Sequence, residues 1–321
     1  MRILVVKTTS LGDLVHMLPA LTEAAAAVPG LRADWVAEEG FAAVPALHPA
    51  VERVIPVALR RWRKAPLSAA TRREWNGFIK SLRSENYDLV LDSQGLLKSA
   101  LLATFAHGPR AGLDFASARE PLASLVYRYR YAVPPGLHAI TRNRLLAAQA
   151  LGYAMAAEDA FSYGVQPPAA DGHDLPDDFI LALHGTARPE KEYPEADWLA
   201  LIRLIGAAGR PVLLPWGNDR ERIRAERLAA ACPTAGVLPR LGLADMAAVL
   251  GRAAGVVGVD TGLMHLAAAF RKPGIGLYPA TPPARFGARS EPGAPAIENL
   301  SAEADLAPSE VAKRLLERLE R

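Results

Sequence analysis

Arg2-Ile3-Leu4-Val5-Val6-Lys7-Thr8-Thr9-Ser10-Leu11-Gly12-Asp13 opens the chain, and its reading sets the fold. Ile3 to Val6 is a continuous apolar run, as expected for a strand covered on both faces. The run breaks at Lys7 and resumes as a helix, with Leu14, Leu18, Leu21 and Ala25 at helical spacing and Val15 widening the stripe. Pro19 should kink that helix or tighten its first turn. The same pattern returns near the other end in Gly255-Val256-Val257-Gly258-Val259-Asp260-Thr261-Gly262-Leu263-Met264-His265. The first loop delivers a carboxylate, Asp13, to the carboxyl end of a strand. The second exposes backbone N–H groups at a helix start, where anions bind. A base in one half and a phosphate cradle in the other point to group transfer from an activated phosphate donor, in a cleft between two domains.

Between these stretches the chain alternates strand and helix. Strands are expected at Asp34–Ala37, Val54–Val57 and Tyr87–Asp92, with helices from Ser68 to Ser84, Leu96 to Phe105 and His138 to Leu151. Pro, Asp and Gly crowd Gln166 to Pro176, the best linker candidate. A second alternation follows: strand Phe179–Leu183, a helix opened by Pro194 and ended by Gly209, strand Val212–Leu214, and a charged helix from Asn218 to Ala231. Helix Leu243–Arg252, strand Gly255–Val259, helix Gly262–Phe270, strand Ile275–Tyr278 and a helix from about Pro308 complete it. Two βα domains in one chain give an α/β double-Rossmann architecture.

The totals agree. At 321 residues, two domains are the default. A net charge of +3 is too small to argue for nucleic acid. Cys232 is the only cysteine, so no internal disulfide can form. No run approaches the ~20 apolar residues of a membrane span, and no signal-peptide layout opens the sequence. The expectation is a cytosolic protein able to touch a membrane surface.

Each candidate has a plainer reading. Asp13 is placed for catalysis at a strand's carboxyl end but is also a good helix cap. Ser10 and Gly12 let a substrate approach the backbone, and Lys7 either helps bind an anion or only extends its charge to solvent. Thr261 and Gly262 can cradle phosphate or simply start a helix; His265, one turn on, either shares that face or packs. Lys191 is one of only seven lysines against thirty arginines, and its compact charge suits pyrophosphate. Arg188 is its rival, and surface solvation is the bland account of both. Glu221 can accept from ribose hydroxyls or complement a helix dipole. Arg60, Arg61, Arg63 and Lys64 surround Trp62, as a headgroup site or as a solvated charge run. There is no P-loop, zinc-type cysteine pair or Gly-x-Ser-x-Gly elbow.

Taken jointly, Lys7-Thr8-Thr9-Ser10-Leu11-Gly12-Asp13-Leu14-Val15-His16, Trp216-Gly217-Asn218 and Val259-Asp260-Thr261-Gly262-Leu263-Met264-His265 resemble the lipopolysaccharide heptosyltransferases of glycosyltransferase family 9. The Arg60–Lys64 cluster and Ser117-Ala118-Arg119-Glu120-Pro121 add to a resemblance that covers nearly the whole chain. It implies a GT-B fold: two Rossmann-like domains facing a central cleft, with the C-terminal helix packing back on the first. Residues 1–168 with 306–321 would form the acceptor domain and 169–305 the donor domain. It implies inverting transfer of L-glycero-D-manno-heptose from ADP-heptose to Kdo of Kdo2-lipid A, without a metal or other cofactor, on the cytoplasmic face of an anionic inner membrane.

By the same resemblance, Asp13 would be the base. Lys191, Thr261 and Gly262 would hold the pyrophosphate, with Thr186 helping. Ala187 departs from the pattern, standing where relatives often carry a second hydroxyl residue. Glu221 would meet the ribose, Leu241 the adenine, and Asp260 and His265 the sugar. Lys7, Ser10, Gly12, Arg60, Arg61, Arg63, Lys64 and Arg119 would face the acceptor. The alternatives are a family member acting on an already heptosylated core, a nucleotide-sugar 2-epimerase of similar build, and a nucleotide-binding module without catalysis. The basic loop argues against the last two, because neither needs a polyanion site.

Overall fold

The computed structural model describes every residue except Ala187, Thr281, Glu303 and Arg321. The chain divides into two compact units, Met1–Val165 and Gln166–Arg321, so the boundary falls at the Pro- and Asp-rich stretch.

The first unit is built on strands β1 (Arg2–Val6), β2 (Arg32–Glu38), β3 (Val51–Val57), β4 (Leu89–Asp92), β5 (Arg110–Leu113) and β6 (Tyr129–Tyr131). They form one parallel sheet in the order β3-β2-β1-β4-β5-β6. Leu4 of β1 pairs with Asp34 on one side and Val90 on the other. This is the strand order of a dinucleotide-binding sheet, and the order reverses between β1 and β4. Ligands bind outside the carboxyl ends of strands at such a reversal, and the loop carrying Asp13 leaves β1 there. Leu4, Val6, Val36 and Val90 point into a core shared with Trp62, Phe78 and Leu82.

The second unit repeats the plan with β7 (Ile180–Leu183), β8 (Val212–Leu214), β9 (Ala235–Val237), β10 (Gly255–Val259), β11 (Gly274–Tyr278) and β12 (Ile297–Ser301), in the order β12-β11-β10-β7-β8-β9. Its reversal lies between β7 and β10, so the loops after those strands meet. The two α/β units are the expected Rossmann-like pair.

One expectation is corrected. The C-terminal helix, Pro308–Leu319, does not leave its own unit: Val311, Ala312 and Leu315 are buried in one cluster with Ile180, Val257 and Ile275, and the helix packs on helix Glu195–Ala207. The i, i+1, i+4 spacing makes one apolar stripe, and it packs against β10 and β11. Residues 306–321 therefore belong with the second unit.

Candidate functional site

In the first unit, Ser10 caps the short helix Leu11–Val15. Its backbone N–H and its hydroxyl both donate to Oδ2 of Asp13, at 2.7 and 2.9 Å. Oδ1 accepts no hydrogen bond among the described residues, and Asp13 is only half-buried. Cap and base are thus not rival accounts of Asp13: one oxygen holds the geometry and the other is left open. Gly12 is buried behind it.

The loop is held by residues that the sequence reading passed over. Gln94, just after β4, accepts from Thr8 N–H at 2.7 Å and Thr8 hydroxyl at 2.8 Å, and its amide donates to the Thr9 carbonyl at 2.6 Å. Lys98 donates to the Thr9 hydroxyl at 2.9 Å. Burial lowers the ammonium pKa of Lys98; among the opposing charges are Glu38, Glu120 and Asp13. Asp92, the last residue of β4, is fully buried and accepts from Tyr127 hydroxyl at 2.7 Å and from Gln94 N–H at 2.9 Å. Burial raises its carboxyl pKa, and these donors oppose that. Gly95 follows at φ +65°, where a Cβ would lie 3.2 Å from Leu113 and 3.5 Å from the Arg119 nitrogen. The signal that could have found this loop was its parallel with the first: both leave a buried strand into polar residues.

Lys7 points inward. It is buried, and its ammonium donates to the Ser93 carbonyl at 2.7 Å and to Asn143 Oδ1 at 3.3 Å. Burial lowers its pKa, while Asp13 and Asp92 act the other way. It clamps the β1 and β4 loops together from beneath, rather than presenting its charge to solvent.

The basic cluster divides. Arg61 is committed: its guanidinium forks Glu39 at 2.9 and 3.0 Å and reaches Glu74 at 2.8 Å. Trp62 is buried, donates to Glu74 at 2.6 Å and meets Trp75 edge-on. Arg60 and Arg63 stay exposed and, with Arg72 and Lys98, rim a cleft of about 510 Å³ walled by Leu59, Trp62 and Trp75. Lys64 is exposed beside them, and Arg119 is exposed on the loop after β5. A groove with aromatic walls and a cationic rim suits an anionic ligand with some apolar surface.

In the second unit, the loops after β7 and β10 join at Asp260. Lys191 pairs with Asp260 Oδ2 at 2.5 Å, and the Thr186 hydroxyl donates to the Asp260 carbonyl at 3.1 Å. Thr261 caps helix Gly262–Ala269 without using its side chain, which leaves that hydroxyl and the first N–H groups of the helix for an anion. His265 is buried one turn on. Glu221 accepts from Gly217 N–H at 2.7 Å and lies across Gly185, where a Cβ would come 2.7 Å from its carboxyl carbon. Gly185, Thr186, Asn218 and Glu221 line a small hollow together with His184, whose imidazole burial pushes down to about 4. Leu241 is half-buried on the segment between β9 and helix Leu243–Arg252, at the carboxyl edge of the sheet. The expected Ala187 position lies outside the described residues.

The sequence model of glycosyltransferase family 9 (heptosyltransferase) matches residues 75–318. The chain belongs to this family. Lipopolysaccharide heptosyltransferase 1 of Pseudomonas aeruginosa is 52% identical over 289 residues, 90% of this chain and 81% of that protein. The structure of E. coli heptosyltransferase WaaC with ADP superposes with a TM-score of 0.90 at 43% identity, covering 99% of this chain and 100% of that one. The same E. coli enzyme with ADP-2-deoxy-2-fluoro heptose gives a TM-score of 0.84 at 42% identity, covering 100% of this chain and 99% of that one. In this family 9 chain, the Asp13 carboxylate follows β1 and the Lys191–Asp260–Thr261 cluster follows β7 and β10, each at the carboxyl end of its own sheet.

Proposed function

We propose that this chain moves L-glycero-D-manno-heptose from ADP-heptose to a hydroxyl of Kdo in Kdo2-lipid A, with inversion at the anomeric carbon. The observation that carries the chemistry is the split use of the Asp13 carboxylate, Oδ2 fixed by Ser10 and Oδ1 open. As the Kdo oxygen attacks the anomeric carbon, Asp13 Oδ1 takes its proton. The bond from that carbon to the β-phosphate oxygen breaks, and its electron pair leaves with ADP. A positioned base is worth about 10²–10⁴-fold in rate.

The departing diphosphate gathers charge as the sugar takes on oxocarbenium character. Lys191, the Thr261 hydroxyl and the N–H groups opening helix Gly262–Ala269 would receive it. With these donors the mechanism needs no metal. Glu221 would hold the ribose hydroxyls, Leu241 would pack on the adenine, and Asp260 with His265 would meet the heptose. Thr186 supports this group through its bond to the Asp260 carbonyl.

On the acceptor side, Arg60 and Arg63 on the cleft rim, with Lys64 and Arg119, would meet the phosphate and carboxylate groups of the acceptor. Ser10 and Gly12 would admit it close to the backbone. Such an acceptor resides in a membrane, so the enzyme would work as a peripheral protein at the cytoplasmic face of the inner membrane. No described helix is long and apolar enough to cross one.

The test is ADP release from ADP-heptose, with and without Kdo2-lipid A, and the mass of the lipid product. Release that requires the acceptor, with one heptose added, is expected. Preference for an already heptosylated core would assign a later transfer of the same family, and turnover without acceptor would point to a different reaction.

A further inference from the structure

Two short helices of the first unit carry apolar stripes that stay exposed among the described residues. On helix Leu97–Thr104, Leu97 and Leu101 lie one turn apart on one face and are 49% and 57% exposed. On the 3₁₀ helix Pro121–Val126, Leu122 and Leu125 stand three residues apart, so they eclipse, and are 57% and 61% exposed. The helices pack on each other through Ala100 and Ala123, which are buried together with Tyr127. The Leu97 N–H donates to Glu120 at 2.6 Å, fixing the two starts side by side. The small residues therefore face inward and four leucines face out. Scattered single leucines need no explanation, but a paired ridge of four does.

Cations border the ridge. Arg130 donates to the Leu125 carbonyl at 3.4 Å and Arg110 to the Val126 carbonyl at 2.9 Å, while Arg128 is exposed against Tyr129. Lys98, which rims the aromatic cleft, sits on the same helix as Leu97 and Leu101. The helix that carries half of the ridge thus also supplies Lys98 to the rim of the cleft.

We infer that this leucine ridge is where the enzyme docks on an anionic lipid bilayer, its leucines entering the acyl boundary and the flanking arginines meeting headgroup phosphates. The charge pattern selects a membrane over a second copy of the chain, because a self-complementary contact would set these arginines against each other. Apolar insertion combined with cation–headgroup attraction is the usual arrangement of surface-bound proteins. Docking here would set the mouth of the cleft at the depth of a lipid headgroup. The proposal rests on the reading that the acceptor is a membrane lipid.

The test is flotation of the full-length protein with phosphatidylethanolamine–phosphatidylglycerol vesicles and with neutral phosphatidylcholine vesicles. Wild type should float with the anionic vesicles and much less with the neutral ones. Leu101→Asp with Leu125→Asp should lower partitioning about tenfold or more. Arg128→Glu should weaken binding to anionic vesicles alone, in a salt-sensitive way. The leucine variant should keep wild-type ADP affinity and wild-type transfer to a deacylated, water-soluble Kdo acceptor, which shows that it folds. Flotation equal to wild type would overturn the proposal. So would a leucine-dependent dimer in sedimentation velocity, which would give the ridge to a second copy. Failure to transfer to any Kdo acceptor would instead strike the functional reading and leave the flotation result standing.

Discussion

Ser10 holds Asp13 by one carboxylate oxygen only: its backbone N–H and hydroxyl converge on Oδ2 at 2.7 and 2.9 Å. The aim of Oδ1 then follows from the cap. Because the cap lies at the β1–β4 reversal, the open oxygen sits where the sheet delivers ligands.

Ser10→Ala keeps the backbone donor and removes the hydroxyl. Turnover should fall by about three- to tenfold, in line with the roughly 0.5–1.5 kcal/mol of one hydrogen bond, while ADP affinity stays unchanged. Steady-state kinetics with calorimetry of ADP binding would check this. An unchanged turnover would mean that the backbone bond alone sets the carboxylate.

Lys191→Ala removes the cation paired with Asp260. A charge-assisted bond is worth about 1.5–3 kcal/mol, so ADP affinity should drop by about 10- to 150-fold. Lys191→Arg should restore part of it. Calorimetry showing wild-type ADP affinity in the alanine variant would remove Lys191 from the phosphate site.

How the cluster after β3 divides sets a third expectation. Arg60→Ala with Arg63→Ala should raise the acceptor KM without changing ADP-heptose binding, and the rise should shrink as salt screens the wild type. Arg61→Ala should leave the acceptor KM near wild type and lower the melting temperature slightly, because its guanidinium already serves Glu39 and Glu74. Equal KM effects from both variants would show that Arg61 changes partners on binding.

A fourth concerns pH. His48 accepts from the Ala50 N–H through Nδ1 at 3.1 Å and faces the Thr22 hydroxyl through Nε2 at 2.9 Å, so it is neutral in the fold. Burial pushes its pKa down to about 4, and burial does the same to His184. The unfolded chain takes up these protons near pH 6.5, before the folded chain does. Stability should therefore be full above about pH 6.5 and decline as pH falls toward 4. Thermal melts across that window should show it, and His48→Gln should flatten part of the slope. A slope identical to wild type in that variant would exclude His48.

Much of this was legible in the sequence because the chemistry is local. β8, β10 and helix Leu243–Arg252 match their expected limits, each an uninterrupted apolar or periodic run. β5, β6, β9 and β12 went unseen. None carries a continuous apolar run, and β6, β9 and β12 lie at sheet edges. In β5 the pattern is broken by Gly112, where a Cβ would come 2.4 Å from the Tyr127 ring. Asp13, Lys191 and Thr261 could be picked out from the strands they follow. Gln94 on Thr8 and Arg61 on Glu39 could not, because the partners meet only through the sheet. The C-terminal helix was misplaced for a related reason: an apolar stripe says that a helix packs, not on what.

The most direct test of the account is Asp13→Asn assayed for both transfer and ADP binding. The amide oxygen can still accept both Ser10 bonds, so the cap, the fold and ADP affinity should survive. Heptose transfer to Kdo2-lipid A should fall by about 10²–10⁴-fold. A variant that binds ADP normally and keeps more than about a tenth of wild-type transfer would contradict the assignment of Asp13 as the base.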